Sequence, residues 1–156
     1  MADMSADFIN PFLVAATKIL KDMVMIDAKV GKPFVKTSEF REDSVVIIIG
    51  VTGEARGQVM IAFEKNVACD IVSKMIMMPV AVLDELGNSA ICELGNMILG
   101  NAATVFSTKG ILIDITPPTL AEGNMVFTNN FTKNISVPLI YDNNKMIEVN
   151  IAIKGD

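Results

Sequence analysis

Histidine and tryptophan are absent from this chain of 156 residues, tyrosine occurs once and cysteine twice. Without histidine there is no Ser-His-Asp or Cys-His triad, no His-ligated zinc and no histidine phosphotransfer. Whatever chemistry the chain performs must use carboxylates, amides, hydroxyls or lysines. The two cysteines, Cys69 and Cys92, stand in apolar helical stretches with no CxxC spacing, which favours buried free thiols over a disulfide. Basic clusters are lacking too, since 13 Lys and Arg face 18 Asp and Glu for a net charge of -5. Nucleic acid and anionic membranes are met by grouped Lys and Arg, so neither is an expected partner. The most apolar N-terminal stretch, Phe8 to Ile26, is broken by Asn10, Pro11, Lys18, Lys21 and Asp22. Neither a signal peptide nor a spanning helix fits it, and the cytoplasm is the expected address.

What the chain does have is apolar surface. Hydrophobic residues make up 51% of it and the mean hydropathy is +0.47, a rich content for one soluble domain of this length. An excess of that kind predicts a homodimer. Asn10-Pro11 reads as a cap with proline at the first helical position, followed by Phe12, Leu13, Ala16, Ile19, Leu20 and Met23 on one helix face, with an earlier start to the helix left open. Residues 30–35, interrupted by Gly31 and Pro33, suit an edge strand. Ser44 to Val51, Thr52-Gly53 and Arg56 to Phe63 form a hairpin pattern with five consecutive β-branched residues, Val45 to Ile49. Helical spacing returns over residues 66–78, where Met75, Met77 and Met78 are read as gap-filling core, and again over residues 81–107. Strands are expected at residues 111–115, around Val126, at 135–141 and at 145–153, with Asp142-Asn143-Asn144 as the last turn. About three helices and about six strands in this order predict an α+β fold, helices packed on a largely antiparallel sheet. The order also hints at two related halves in one domain.

The long helix over residues 81–107 is the chemically unusual element. At 100° per residue, Glu85, Ser89, Glu93, Asn96, Gly100 and Ala103 share one stripe, while Leu83, Leu86, Ala90, Leu94, Met97, Ile98 and Val105 gather on another side. The stripe offers an acid and an amide among small residues instead of long charged chains. Glycine costs about 1 kcal/mol against alanine inside a helix, yet Gly87, Gly95 and Gly100 all lie there, which implies close approach by another molecule or by a neighbouring helix. Glu93 and Asn96, three residues apart, project side by side with about 5–6 Å between Cβ atoms. Such a pair suits hydrolysis of an acyl phosphate, where positioning matters most and a neutral amide can orient water. The spacing alone is common; Glu85 and Asn88 repeat it.

Context gives the pair its weight. The run Glu93-Leu94-Gly95-Asn96-Met97-Ile98-Leu99-Gly100-Asn101-Ala102-Ala103 resembles the signature of the CheC/CheX/FliY family of chemotaxis phosphatases, and Ser89 falls four before the acid as in that pattern. Ile9-Asn10-Pro11-Phe12, Gly31-Lys32-Pro33 and Thr116-Pro117-Pro118-Thr119 resemble the CheX branch in particular. The resemblance implies a phosphatase acting on a phosphorylated CheY-like response regulator. It makes Glu93 and Asn96 catalytic, the acid meeting a lysine of the regulator and the amide directing water, and puts Ser89, Gly95 and Gly100 at the partner. It implies no cofactor of the chain's own, with Mg2+ held by the regulator, and it implies a dimer. The first helix offers only Asp7 and Asn10 as a second motif, so a single site is expected.

A non-catalytic adaptor keeping the same helix, and a switch-associated structural subunit resembling FliY, are the rival readings. Asn129-Asn130 and Asn143-Asn144 are expected to be turns, Asp114 a solvated strand position, and Thr116-Pro117-Pro118-Thr119 a rigid connector.

Overall fold

The computed structural model describes residues 6–35, 39–40, 43–126 and 134–155, so Asn129-Asn130 lie outside the described residues. The first helix, α1 (Ala6–Val24), already includes Asn10 and Pro11, so the earlier of the two starts holds and Pro11 is not the first helical residue. Proline has no N–H to give the carbonyl of Asp7 one turn back. Pro11 and Phe12 are nevertheless buried, and the ring of Phe12 meets that of Phe106 edge-on at 5.2 Å. Packing holds the proline inside the helix.

Short strands β1 (Lys29–Val30) and β2 (Phe34–Val35) follow, then β3 (Glu39–Phe40), β4 (Ser44–Gly53) and β5 (Ala55–Glu64). Helices α2 (Lys65–Ile76) and α3 (Glu85–Thr108) come next, and the chain returns through β6 (Ile113–Ile115), β7 (Thr119–Glu122), β8 (Met125–Val126), β9 (Ile135–Tyr141) and β10 (Lys145–Gly155). Eight strands form one antiparallel sheet in the order β1-β9-β10-β5-β4-β6, with β2 also on β9 and β7 also on β4. The strands β3 and β8 pair as a separate ribbon. This is the expected α+β layering.

The uninterrupted β-branched run of β4 is explained by burial on both faces. Val45, Ile47, Ile49 and Val51 join the core under the helices, while Val46 packs with Phe40, Met60 and Ala62 on the far side. A half-solvated strand would need alternation; a doubly covered one does not. Each fully buried Ile or Leu contributes about 1.5–3 kcal/mol by leaving water, and Ile47, Ile49, Ile61, Leu94 and Leu99 all do so. Met77 and Met78 depart from expectation, because α2 ends at Ile76 and Met77 turns left-handed at φ 58. Both side chains are exposed, whereas Met75 stays against the core.

Candidate functional site

The helix α3 starts four residues later than its apolar spacing suggests because Asp84 caps it, accepting a hydrogen bond from the Gly87 N–H at 2.9 Å. It ends with Gly110 at φ 79, where the Ile111 N–H reaches the Phe106 carbonyl at 3.0 Å and the Gly110 N–H that of Ser107 at 3.0 Å. Between these caps Ile91, Leu94, Ile98, Leu99, Ala102 and Phe106 are buried against α1 and the sheet. That fixes the rotation of the helix about its axis. Ser89, Glu93 and Asn96 are consequently exposed on the opposite side.

An open hollow of about 530 Å³ lies along this face, lined by Ser89, Cys92, Glu93 and Asn96 from α3 and by Ile115, Thr116, Pro117 and Pro118 opposite. The two residues expected to be catalytic and the serine four before the acid therefore come together at one concavity. A second hollow of about 460 Å³ continues toward the helix N-terminus and is lined in part by Asp84, Glu85, Asn88 and Leu120. Among the described residues no Lys or Arg lines either hollow. A cation supplied from outside would meet carboxylates there that none of those described cations contests.

Two expectations change. Gly95 is not on the exposed face but buried, and a Cβ there would come within 2.9 Å of Cγ2 of Ile47 on β4. Its missing side chain admits the sheet, which removes Gly95 from the partner-binding set. Leu86, expected in the buried stripe, is 63% exposed, since only the helix beyond its first turn rests on the core. Apart from its chain neighbours and its own helix backbone, no atom of the described residues lies within 4 Å of a Cβ placed on Gly100, which is open to an incoming molecule.

The sequence reading missed Cys92 and the Ile115 to Pro118 wall. Cys92 is a half-buried free thiol, pushed up from its ordinary pKa by burial, and Cys69 is buried and shifted the same way. The wall had a signal in its two adjacent prolines flanked by strand-forming residues, a pattern that places a break within an edge strand. Among the described residues no group of three or more acids and cysteines could hold a metal ion, and no helix is long and apolar enough to cross a membrane.

Comparison with known proteins follows the same lines. The family model described as chemotaxis phosphatase CheX matches residues 45–139. The CheY-P phosphatase CheX of Thermotoga maritima is 31% identical over 153 residues, covering 97% of this chain and 99% of that protein. Among solved structures, a CheC-like superfamily protein from Shewanella superposes with a TM-score of 0.87 at 29% identity, covering 97% of this chain and all of that one. CheX from Borrelia burgdorferi, solved as a complex with CheY, BeF3 and Mg+2, gives 0.82 at 33% identity, covering 96% of this chain and 99% of that one.

Proposed function

Because the chain belongs to the CheX family of chemotaxis phosphatases, we propose that it hydrolyses the aspartyl phosphate of a CheY-like response regulator with Glu93 and Asn96 as its working pair. The observation that carries the assignment of residues is the shared hollow, where both side chains stand exposed on a helix whose other side is locked into the core. The regulator docks on that face and brings its acyl phosphate to Asn96. The amide holds a water in line with phosphorus and leaves the covalent change to water and the phosphoryl group, as suits a reaction governed by positioning. Glu93 meets a lysine of the regulator in a charge-assisted contact, which fixes the approach. Ser89 and Gly100 flank the pair and accept the partner's surface. The magnesium belongs to the regulator, consistent with the complex of the Borrelia relative, in which CheY accompanies Mg+2.

The proposed setting is the cytoplasm, where the chain acts as a homodimer. Val30, Phe34, Val35, Ile140 and Met146 are all exposed near the β1/β2 edge of the sheet, an apolar surface that a second copy would cover. Phosphate release from a regulator charged with acetyl phosphate tests the activity directly. Release that rises in proportion to added protein is the expected result. Binding to the charged regulator without faster release assigns the chain to the adaptor class instead.

A further inference from the structure

The strands β6 and β7 are one edge strand interrupted by a bulge. Val51 of β4 pairs with Ile115, the Thr116 N–H then reaches the Gly50 carbonyl at 3.0 Å, and pairing resumes between Ile48 and Thr119. Between those points β4 supplies one residue, Ile49, while the edge strand supplies two, Pro117 and Pro118. Two residues opposite one define a bulge, which bends its strand and ends local pairing. Neither proline has an N–H to lose from the ladder. The bent segment is the wall that faces Glu93 and Asn96 across the hollow.

Thr116 is the tie at the base of this bulge. Its Oγ1 accepts a hydrogen bond from the Gly50 N–H at 2.8 Å and lies 3.3 Å from the Pro117 carbonyl, to which the hydroxyl can donate. Its side chain also occupies the space above Gly50, where an added Cβ would sit 3.0 Å from Cγ2 and 3.3 Å from Oγ1. The same strand is held at its far end by Glu54, whose Oε1 accepts from the Leu112 N–H at 3.0 Å and whose own N–H reaches the Leu112 carbonyl at 2.9 Å. Thr116 thus joins backbone, side chain and wall at one point.

We infer that Thr116 is a positioning residue for the dephosphorylation reaction, pinning Pro117 and Pro118 as a rigid wall against which the phosphorylated regulator seats. The inference rests on the phosphatase reading above. Thr116 acts through the prolines and touches none of the reacting atoms. A wall contact is the same in the ground state and the transition state, so its loss raises KM and spares kcat.

The test is steady-state dephosphorylation of a charged CheY-like regulator by Thr116→Val, Thr116→Ser and Gly50→Ala, with Asn96→Ala alongside. Thr116→Val keeps the shape but removes the hydroxyl, and a KM raised about tenfold with kcat within about twofold is expected. Thr116→Ser keeps the hydroxyl and restores KM to within about twofold, while Gly50→Ala shifts KM in the same direction as Thr116→Val. A Pro117→Ala, Pro118→Ala double variant loosens the wall without touching the tie and raises KM as well. If Thr116→Val melts at a lower temperature yet keeps the wild-type KM, and the double variant does too, the residue is structural only and the inference is overturned. That outcome with an inactive Asn96→Ala leaves the phosphatase reading intact. Full activity in Asn96→Ala overturns both.

Discussion

Asn96 and Glu93 sit one helical turn apart, yet their proposed roles separate in kinetics. Removing the amide of Asn96 takes away an interaction made with water in the transition state, so Asn96→Ala should lower kcat by about a hundredfold or more while docking persists. Glu93→Ala should weaken binding as well as rate, because its proposed contact with a lysine of the regulator would form before the reaction begins. Glu85→Ala and Asn88→Ala, at the repeated spacing but lining only the second hollow, should change either constant by less than about threefold, with circular dichroism confirming that all four variants fold. Phosphate release and a binding titration on the same samples distinguish these outcomes. Away from the site, Asp70 accepts from the Tyr141 hydroxyl at 2.7 Å and pairs with Lys74 and Lys145, each at 3.3 Å. Burial tends to raise the Asp70 carboxyl, but the hydrogen bonds from Tyr141, Lys145 and Lys74 outweigh it and hold the group below its ordinary 3.8. The stability it adds is present above that value and lost as pH falls below it. Tyr141 behaves oppositely: burial, then its bond to Asp70, pushes the phenol well above its ordinary 10. Its contribution is intact below pH 10 and lost as pH climbs beyond, because the unfolded phenol ionises first. Tyr141→Phe should therefore cost about 1 kcal/mol near neutral pH and flatten the alkaline decline, both read from urea midpoints across pH.

Within α3 the glycines divide by what surrounds them. A methyl at Gly95 would press on Cγ2 of Ile47, which is fully buried and cannot retreat, so Gly95→Ala should destabilise by about 1–3 kcal/mol despite better helix propensity. Gly100→Ala meets open space and should stabilise by about 1 kcal/mol. Thermal melts of the two variants should move in opposite directions, and a loss of docking in Gly100→Ala would mark it as a partner contact. The same elements show how far sequence reasoning reaches. The hairpin of β4 and β5, the last hairpin and the existence of all three helices were legible, because long periodic or β-branched runs and turn residues carry local information. The wall between β6 and β7 was read as a connector, since two adjacent prolines suit either a connector or a break in an edge strand until β4 is known to lie beside them. Pro11 misled for a related reason: its local preference for a first turn is overridden by the packing of Phe12 on Phe106. The motif singled out Glu93, Asn96 and Ser89, which the structure brings to one hollow; it also drew Gly95 into the partner-binding set, although a spacing of four from both Ile91 and Leu99 already puts that residue on the buried side of the helix.

At the scale of the whole molecule, the chain should be a dimer, giving twice its 16.8 kDa mass by light scattering at tens of micromolar. A monomer mass there would reject the proposed use of the β1/β2 edge. The regulator should bind far better when phosphorylated, since phosphorylation reorganises the surface that α3 reads; equal affinity for both forms would count against a site built around the acyl phosphate. One last consequence follows from how α3 is seated. The helix that presents Glu93 and Asn96 is also the one whose Leu94, Leu99, Ala102 and Phe106 are fully buried, with Leu94 between the working pair in sequence and Leu99 one turn beyond Asn96. Its backbone amides should be among the slowest in the molecule to exchange with deuterium, opening only when the fold as a whole opens. The working pair then has no private way to fail. On warming, turnover should persist until the cooperative melt and disappear with it, and cooling should restore both together.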